Sequence, residues 1–264
     1  MIKTAQSLKN LELRARDGVL GKVKDLYVDD EHWTLRYLVV ETGTWLNSRK
    51  VLVAMSVVDA PDWEASLLPV NLTQDQVRNS PSLDTERAVN REDEENLRIH
   101  YGWPAYWTGT GYPGGVMAGP LPMVEAPVLP PVPATAQAAL TANPAVRTAP
   151  HGDPHLRRVG AVQGYRLEAT DGAIGHIDDL LLDDLTWTVR YLVIDPRNWL
   201  PGSKVVVSPD WISSVSWSRS RVYIDLTREA IKAAPTYEPD APWDEDYIRS
   251  LGRFPSESLP AGEK

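Results

Sequence analysis

The stretch Trp33-Thr34-Leu35-Arg36-Tyr37-Leu38-Val39-Val40 is written a second time as Trp187-Thr188-Val189-Arg190-Tyr191-Leu192-Val193-Ile194. The same offset, without a gap, carries Asp17-Gly18 onto Asp171-Gly172, Trp45-Leu46 onto Trp199-Leu200 and Leu72-Thr73 onto Leu226-Thr227. Across residues 17–58 and 171–212, 18 of 42 positions are identical. Many of the rest are swaps such as Leu35 for Val189. A chain of 264 residues that repeats itself in this way is one unit built twice, each copy about a hundred residues long and able to bury one modest core.

Within a copy the pattern is that of short strands. Leu11 to Arg16 and about Val19 to Val28 alternate as strands, and Asp17-Gly18 between them is a pair that favours a tight turn with positive φ. Gly21 recurs as Gly175, and a glycine inside a strand marks a bulge or sharp bend. In the repeated stretch Trp33, Leu35, Tyr37 and Val39 form an apolar face, while Thr34, Arg36, Leu38 and Val40 become apolar only in the second half. Lys50 to Val53 and Ser66 to Leu72 (Lys204 to Val207 and Arg221 to Leu226 in the second copy) read as further strands. Each copy then closes on a short helix. Thr73 with Gln76 has the spacing of a capping box, Thr227 is an N-cap, and Pro81 and Pro235 stop the helices. The expected fold is mainly β: two small antiparallel β-barrels, each followed by short helices and joined by a Pro/Ala-rich linker.

Residues 1–109 make the first unit with a helical, aromatic tail, 110–155 the linker, 156–255 the second unit with a short tail, and 256–264 a flexible C-terminus. From Thr110 to Pro154 charge nearly vanishes while Pro, Ala, Val and Thr dominate, so the segment cannot bury a core and spans on the order of 35–40 Å as a flexible chain. That reach lets the two units meet, as an intramolecular pseudo-dimer or through a homodimer.

The net charge of −9 argues against nucleic acid held by a basic field. The absence of Cys removes thiolate nucleophiles, thiolate metal sites and disulfides, which fits a cytoplasmic setting. No stretch has the roughly 20 apolar residues of a membrane span, and the N-terminal residues lack a secretory signal's apolar region.

The series Asp17-Gly18, Gly21, Asp25-Leu26, Asp29-Asp30, Trp33, Arg36-Tyr37-Leu38-Val39-Val40, Gly43, Trp45-Leu46, Lys50-Val51, Leu72-Thr73 and Pro81, with Tyr101-Gly102-Trp103-Pro104 behind it, resembles the PRC-barrel domain family. That family includes the C-terminal domain of the photosynthetic reaction-centre H subunit and that of the ribosome maturation factor RimM. The second copy keeps most of the series but has Arg197 where the first has Gly43, and Gly252-Arg253-Phe254-Pro255 in its tail. The resemblance implies small barrels in a bacterial protein that dock or assemble other proteins and catalyse nothing. It also raises two alternatives, an accessory of photosynthetic electron transport or proton delivery and a ribosome-maturation-type docking factor. The missing membrane helix speaks against the first, and the missing partner β-domain against the second.

Candidate chemistry is sparse. Asp25, Asp29, Asp179 and Asp183 are expected as turn and hydrogen-bonding carboxylates, with Arg36 and Arg190 as their ion-pair partners. His32, His100, His151, His155 and His176 lack metal-ligand spacing, so neither a metal nor a cofactor is assigned. No Ser lies in a nucleophile elbow, and no glycine-rich phosphate loop is present. The aromatics Trp45, Trp199, Tyr101, Trp103, Tyr106 and Trp107 are the candidate interaction surface for a protein partner, because rigid aromatic side chains dominate binding hot spots. The tail among them is expected either to pack back on its barrel or to dock a partner.

Overall fold

A computed structural model describes residues 1–81, 89, 91–103, 156–196, 203–239 and 247. Trp199, Tyr106, Trp107, the linker and the end of the chain lie outside the described residues. The chain starts with β1 (Ile2–Thr4) and a single helical turn, α1 (Ala5–Leu8). Next come β2 (Glu12–Ala15), β3 (Gly18–Asp29), β4 (Thr34–Thr42), β5 (Lys50–Ala54) and β6 (Leu67–Pro69), then α2 (Gln74–Arg78) and α3 (Arg91–Tyr101). The second copy repeats the order as β7 (Leu156–Arg158), α4 (Val159–Val162), β8 (Arg166–Ala169), β9 (Gly172–Asp183), β10 (Val189–Asp195), β11 (Val205–Val207), β12 (Ile212–Ser216), β13 (Arg221–Ile224) and α5 (Arg228–Lys232).

The strands form two sheets, ordered β5-β4-β3-β2-β6 and β11-β10-β9-β8-β13-β12. The expectation of closed antiparallel barrels is corrected on two points. Each ladder is an open path, and each contains one parallel pair, β2 with β6 and β8 with β13. The parallel pair arises because the segment before the last strand doubles back on it, as β12 on β13 in the second copy. In the first copy this reversal is reduced to the bridges Val58↔Val70 and Asp62↔Leu67. The returning strand therefore runs in the direction of β2 or β8. Alternation in a sequence fixes which face a residue takes, not which way its neighbour runs.

Two other details differ from the expectation. The β2–β3 hairpin turns on Arg16 and Asp17, since Ala15 pairs with Gly18, and Asp17 does not adopt positive φ. Its carboxylate instead accepts the Gln74 amide at 2.9 Å, as Asp171 accepts that of Arg228 at 2.8 Å, so each hairpin caps its copy's closing helix. Trp33 and Trp187 sit just before their strands with φ of 49° and 57°. The recurring glycine is required by close approach. A Cβ at Gly21 would stand 2.0 Å from the Glu41 carbonyl oxygen, and one at Gly175 2.1 Å from that of Asp195. The Thr73–Gln76 capping box forms as the spacing implies, and Thr227 caps α5.

The core runs from one copy into the other. Leu13, Leu26, Leu38 and Val53 join Leu167, Leu180, Leu192 and Val207 in a single buried cluster.

Candidate functional site

The two sheets exchange their first strands. β1 lies antiparallel on β9, with Ile2 opposite Asp183 and Thr4 opposite Leu181, and β7 lies on β3, with Leu156 opposite Asp29 and Arg158 opposite Tyr27. The two registers are identical under the repeat offset. The helical turns that follow are carried along, so Ala5 and Leu8 are buried against one sheet and Val159 and Val162 against the other. Near the pseudo-twofold axis the Leu35 amide donates to the Trp187 carbonyl at 2.8 Å, and the Val189 amide returns a bond to the Trp33 carbonyl at 2.7 Å. Lys9 Nζ donates to Gln163 Oε1 at 3.0 Å, joining two residues that the repeat makes equivalent.

A buried carboxylate sits at each exchange. Asp25, 5% exposed, accepts the Leu26 amide at 2.9 Å, the Gly160 amide at 3.0 Å and Arg158 Nε at 2.9 Å. The Gly160 amide belongs to the first turn of the exchanged helix, where unpaired N–H groups need an acceptor. Asp179, 8% exposed, accepts the Leu180 amide at 2.8 Å and Gln163 Nε2 at 3.2 Å, and the amide of Gln6 also reaches it. It forms no ion pair among the described residues. Burial pushes its pKa above the ordinary carboxylate range, with the Asp178 charge acting the same way, against the amide bonds and Lys9.

Asp29 and Asp183 close the turns after β3 and β9. Asp29 is 3% exposed, and burial acts to raise its pKa. Arg36, whose Nη2 lies at 2.7 Å and Nε at 3.1 Å, outweighs burial together with the His32 and Glu31 amides and holds it below the usual range. Asp183 is likewise lowered, its Leu185 and Thr186 amide bonds and the charge of Arg190 overcoming partial burial. Arg190 Nη2 stands farther off, at 3.4 Å. Across the exchange Arg157 Nε reaches Asp30 at 3.0 Å and lies over the Trp217 ring at 4.2 Å, while Lys3 lies over Trp63 at 4.9 Å.

The aromatic candidates divide. Trp45 is half-buried, its indole N–H donating to the Leu20 carbonyl at 2.9 Å. Trp103, 6% exposed, is core, and Tyr101 stacks on it at 4.2 Å. The described part of the tail thus packs back on the first sheet. It also carries Glu94, 0% exposed, which accepts the Tyr37 hydroxyl at 2.8 Å and lies 3.0 Å from Arg91 Nη1. Oxygen and imidazole groups converge at Asp29, Glu31 and His32 and at His176, Asp178 and Asp195. Protein cations already occupy them: Arg36 sits on Asp29, and Lys204 Nζ is 2.7 Å from Asp178.

Reading the strands alone misses Ile2–Leu8, Leu156–Val162 and Glu94 as structural elements. A signal for the first two was available. Extended upstream, the repeat offset aligns Ile2, Ala5 and Leu8 with Leu156, Val159 and Val162, an apolar residue at every third position in both copies.

Fold and contacts together define a β-rich protein whose two like sheets complete each other. Residues 2–70, most of the first copy, match the family model of the PRC-barrel domain. No curated protein matches the chain. No helix among the described residues is long and apolar enough to cross a membrane.

Proposed function

We propose that the chain is a non-enzymatic protein-interaction or assembly module, built from two PRC-barrel-like units that pair within one molecule as a pseudo-dimer. In this reading residues 156–255 are the second such unit, joined to the first by the Pro/Ala-rich stretch 110–155. The observation that carries it is the reciprocal seating of β1 and α1 on β9 and of β7 and α4 on β3. Such an exchange joins two sheets into one rigid body, and rigid surfaces bind partners with little ordering cost. The chemistry beside it supports the same reading, because the buried carboxylates of Asp25, Asp29 and Glu94 are engaged by Arg158, Arg36 and Tyr37.

The partner surface proposed is aromatic. Trp45 and Tyr101 offer partly exposed rings, with Trp103 as the packed base beneath Tyr101, and Trp199, Tyr106 and Trp107 complete the set. Crosslinking mass spectrometry on the full chain in its source cell tests this. The expected result is a protein neighbour whose crosslinks are lost in Trp45→Ala, while the chain still folds, losing about 2–4 kcal/mol for the half-buried indole and its bond to Leu20. Finding no neighbour other than further copies of the chain would overturn the reading.

A further inference from the structure

The two exchange sites are unequal, and the differences fall at residues that the repeat makes equivalent. On β3 the incoming segment brings Arg158 and Gly160 to Asp25. On β9 it brings Gln6 to Asp179, while Thr4, the counterpart of Arg158, lies opposite Leu181 and caps α1 instead. Gly160 and Arg158 belong together. A Cβ at Gly160 would stand 2.9 Å from Asp25 Oδ2, the oxygen that Arg158 holds in place. Near the axis Lys9 meets Gln163, a cation against a neutral amide.

We infer that the second copy's exchange surface, formed by Arg158, Gly160, Gln163 and Asp179, also accepts the same surface of a second molecule, whereas the first copy's surface does not pair with itself. This rests on the exchange being the chain's pairing device, as proposed above. The geometry of the repeat supplies the substitutions. When two second copies pair, Gln163 faces Gln163, two neutral amides, each already donating to its own Asp179. Arg158 then stands at the register position that Thr4 holds opposite Leu181, from which it reaches Asp179 as it now reaches Asp25. That gives the buried carboxylate the direct ion pair it does not form among the described residues, and Gly160 leaves the room the pair needs. When two first copies pair, Lys9 faces Lys9 where 3.0 Å now separates Lys9 from Gln163. Each Asp25 also loses Arg158. Facing like charges and the loss of the arginine from each buried carboxylate both disfavour a complex, so the contrast is one of specificity. Within one molecule the tether keeps the mixed pair dominant by raising the local concentration of each copy.

Cutting the tether exposes the preference. A specific protease site is inserted between Thr110 and Pro154, the folded full chain is cleaved, and native mass spectrometry follows the fragments during incubation. The mixed pair is expected first. Pairs of second copies then grow in, exceeding pairs of first copies by at least about tenfold, the weight of one or two charged hydrogen bonds. Transplanting the second copy's residues into the first, as Thr4→Arg, Gln6→Gly and Lys9→Gln together, should create the missing first-copy pair. Arg158→Thr should deplete pairs of second copies, and it decides the matter alone if the triple variant does not fold. Equal abundance of the two homotypic pairs, or no response to these variants in chains that still form the mixed pair, overturns the inference. Fragments that separate entirely into monomers overturn the pseudo-dimer reading itself.

Discussion

The contact between Asp25 and Arg158 should be worth about 1.5–2 kcal/mol, and a double-mutant cycle can measure it directly. Asp25 is 5% exposed, and Arg158 brings both Nε and Nη2 to the same oxygen at 2.9 Å. A hydrogen bond to a charged group contributes about 1.5–3 kcal/mol. The Arg158 side chain is 28% exposed, so solvent screening places the value in the lower part of that range. Removing the arginine does not leave the carboxylate bare, because the Leu26 and Gly160 amides remain. Asp179 already holds such a state in the same protein. The variants are Arg158→Ala, Asp25→Asn and the pair together, unfolded in urea and followed by tryptophan fluorescence, with equal m-values required. Arg158→Ala alone should lower the midpoint temperature by about 3–8 °C for a chain of this size. A coupling below about 0.5 kcal/mol, the size of an exposed ion pair, would refute the claim that this contact fastens the exchanged segment.

Gly21→Ala should cost about 3 kcal/mol or more in the same urea assay, because its Cβ would meet the Glu41 carbonyl, which the sheet holds fixed; a loss under 1 kcal/mol counts against that close approach. Asp179→Asn should stabilise the protein at neutral pH and do little in acid. The folded-state pKa of Asp179 is raised, so its contribution is complete below the ordinary carboxylate range and is lost as pH rises through the folded value, a loss that asparagine does not suffer. Asp29→Asn should behave oppositely: its pKa is lowered, so its contribution is present above the ordinary range and disappears as pH falls. Urea midpoints collected across pH check both signs, and parallel curves for the two variants would contradict them.

Much of each sheet was legible because strand alternation and the repeat are local signals. The buried positions of β3 and β4, the caps Thr73 and Thr227 and the crowded Gly21 and Gly175 all follow from residue type at a given spacing. The pairing of Arg36 with Asp29 was legible too, since seven positions across a turn place them on adjoining strands. The exchanged segments were harder to read. Ile2–Thr4 and Leu156–Arg158 are three residues each, too short for a strand period to register, and the sheets that receive them lie elsewhere in sequence. Glu94 stands in the run Glu92-Asp93-Glu94-Glu95, where nothing in residue type sets it apart. Only the approach of α3 to β4 turns it into the buried acceptor of Tyr37. Trp103, read as a surface candidate, is core for the same reason.

The sequence by itself determined that one β-rich unit is built twice, where each copy's hairpins and closing helix lie, and that a charge-poor, proline-rich stretch separates them. Those properties depend on side-chain period, caps and steric room at single residues, which a chain carries wherever it goes. Tertiary structure alone decided that the last strand of each sheet runs parallel to its neighbour, that the sheets remain open, and that each is completed by the other copy's first strand. Backbone hydrogen bonds between strands are nearly indifferent to side-chain identity, so the choice of partner strand falls to packing. Leu8 and Val162 must be covered, and Asp25 must find Arg158 and the Gly160 amide. Both conditions are met only across the two copies.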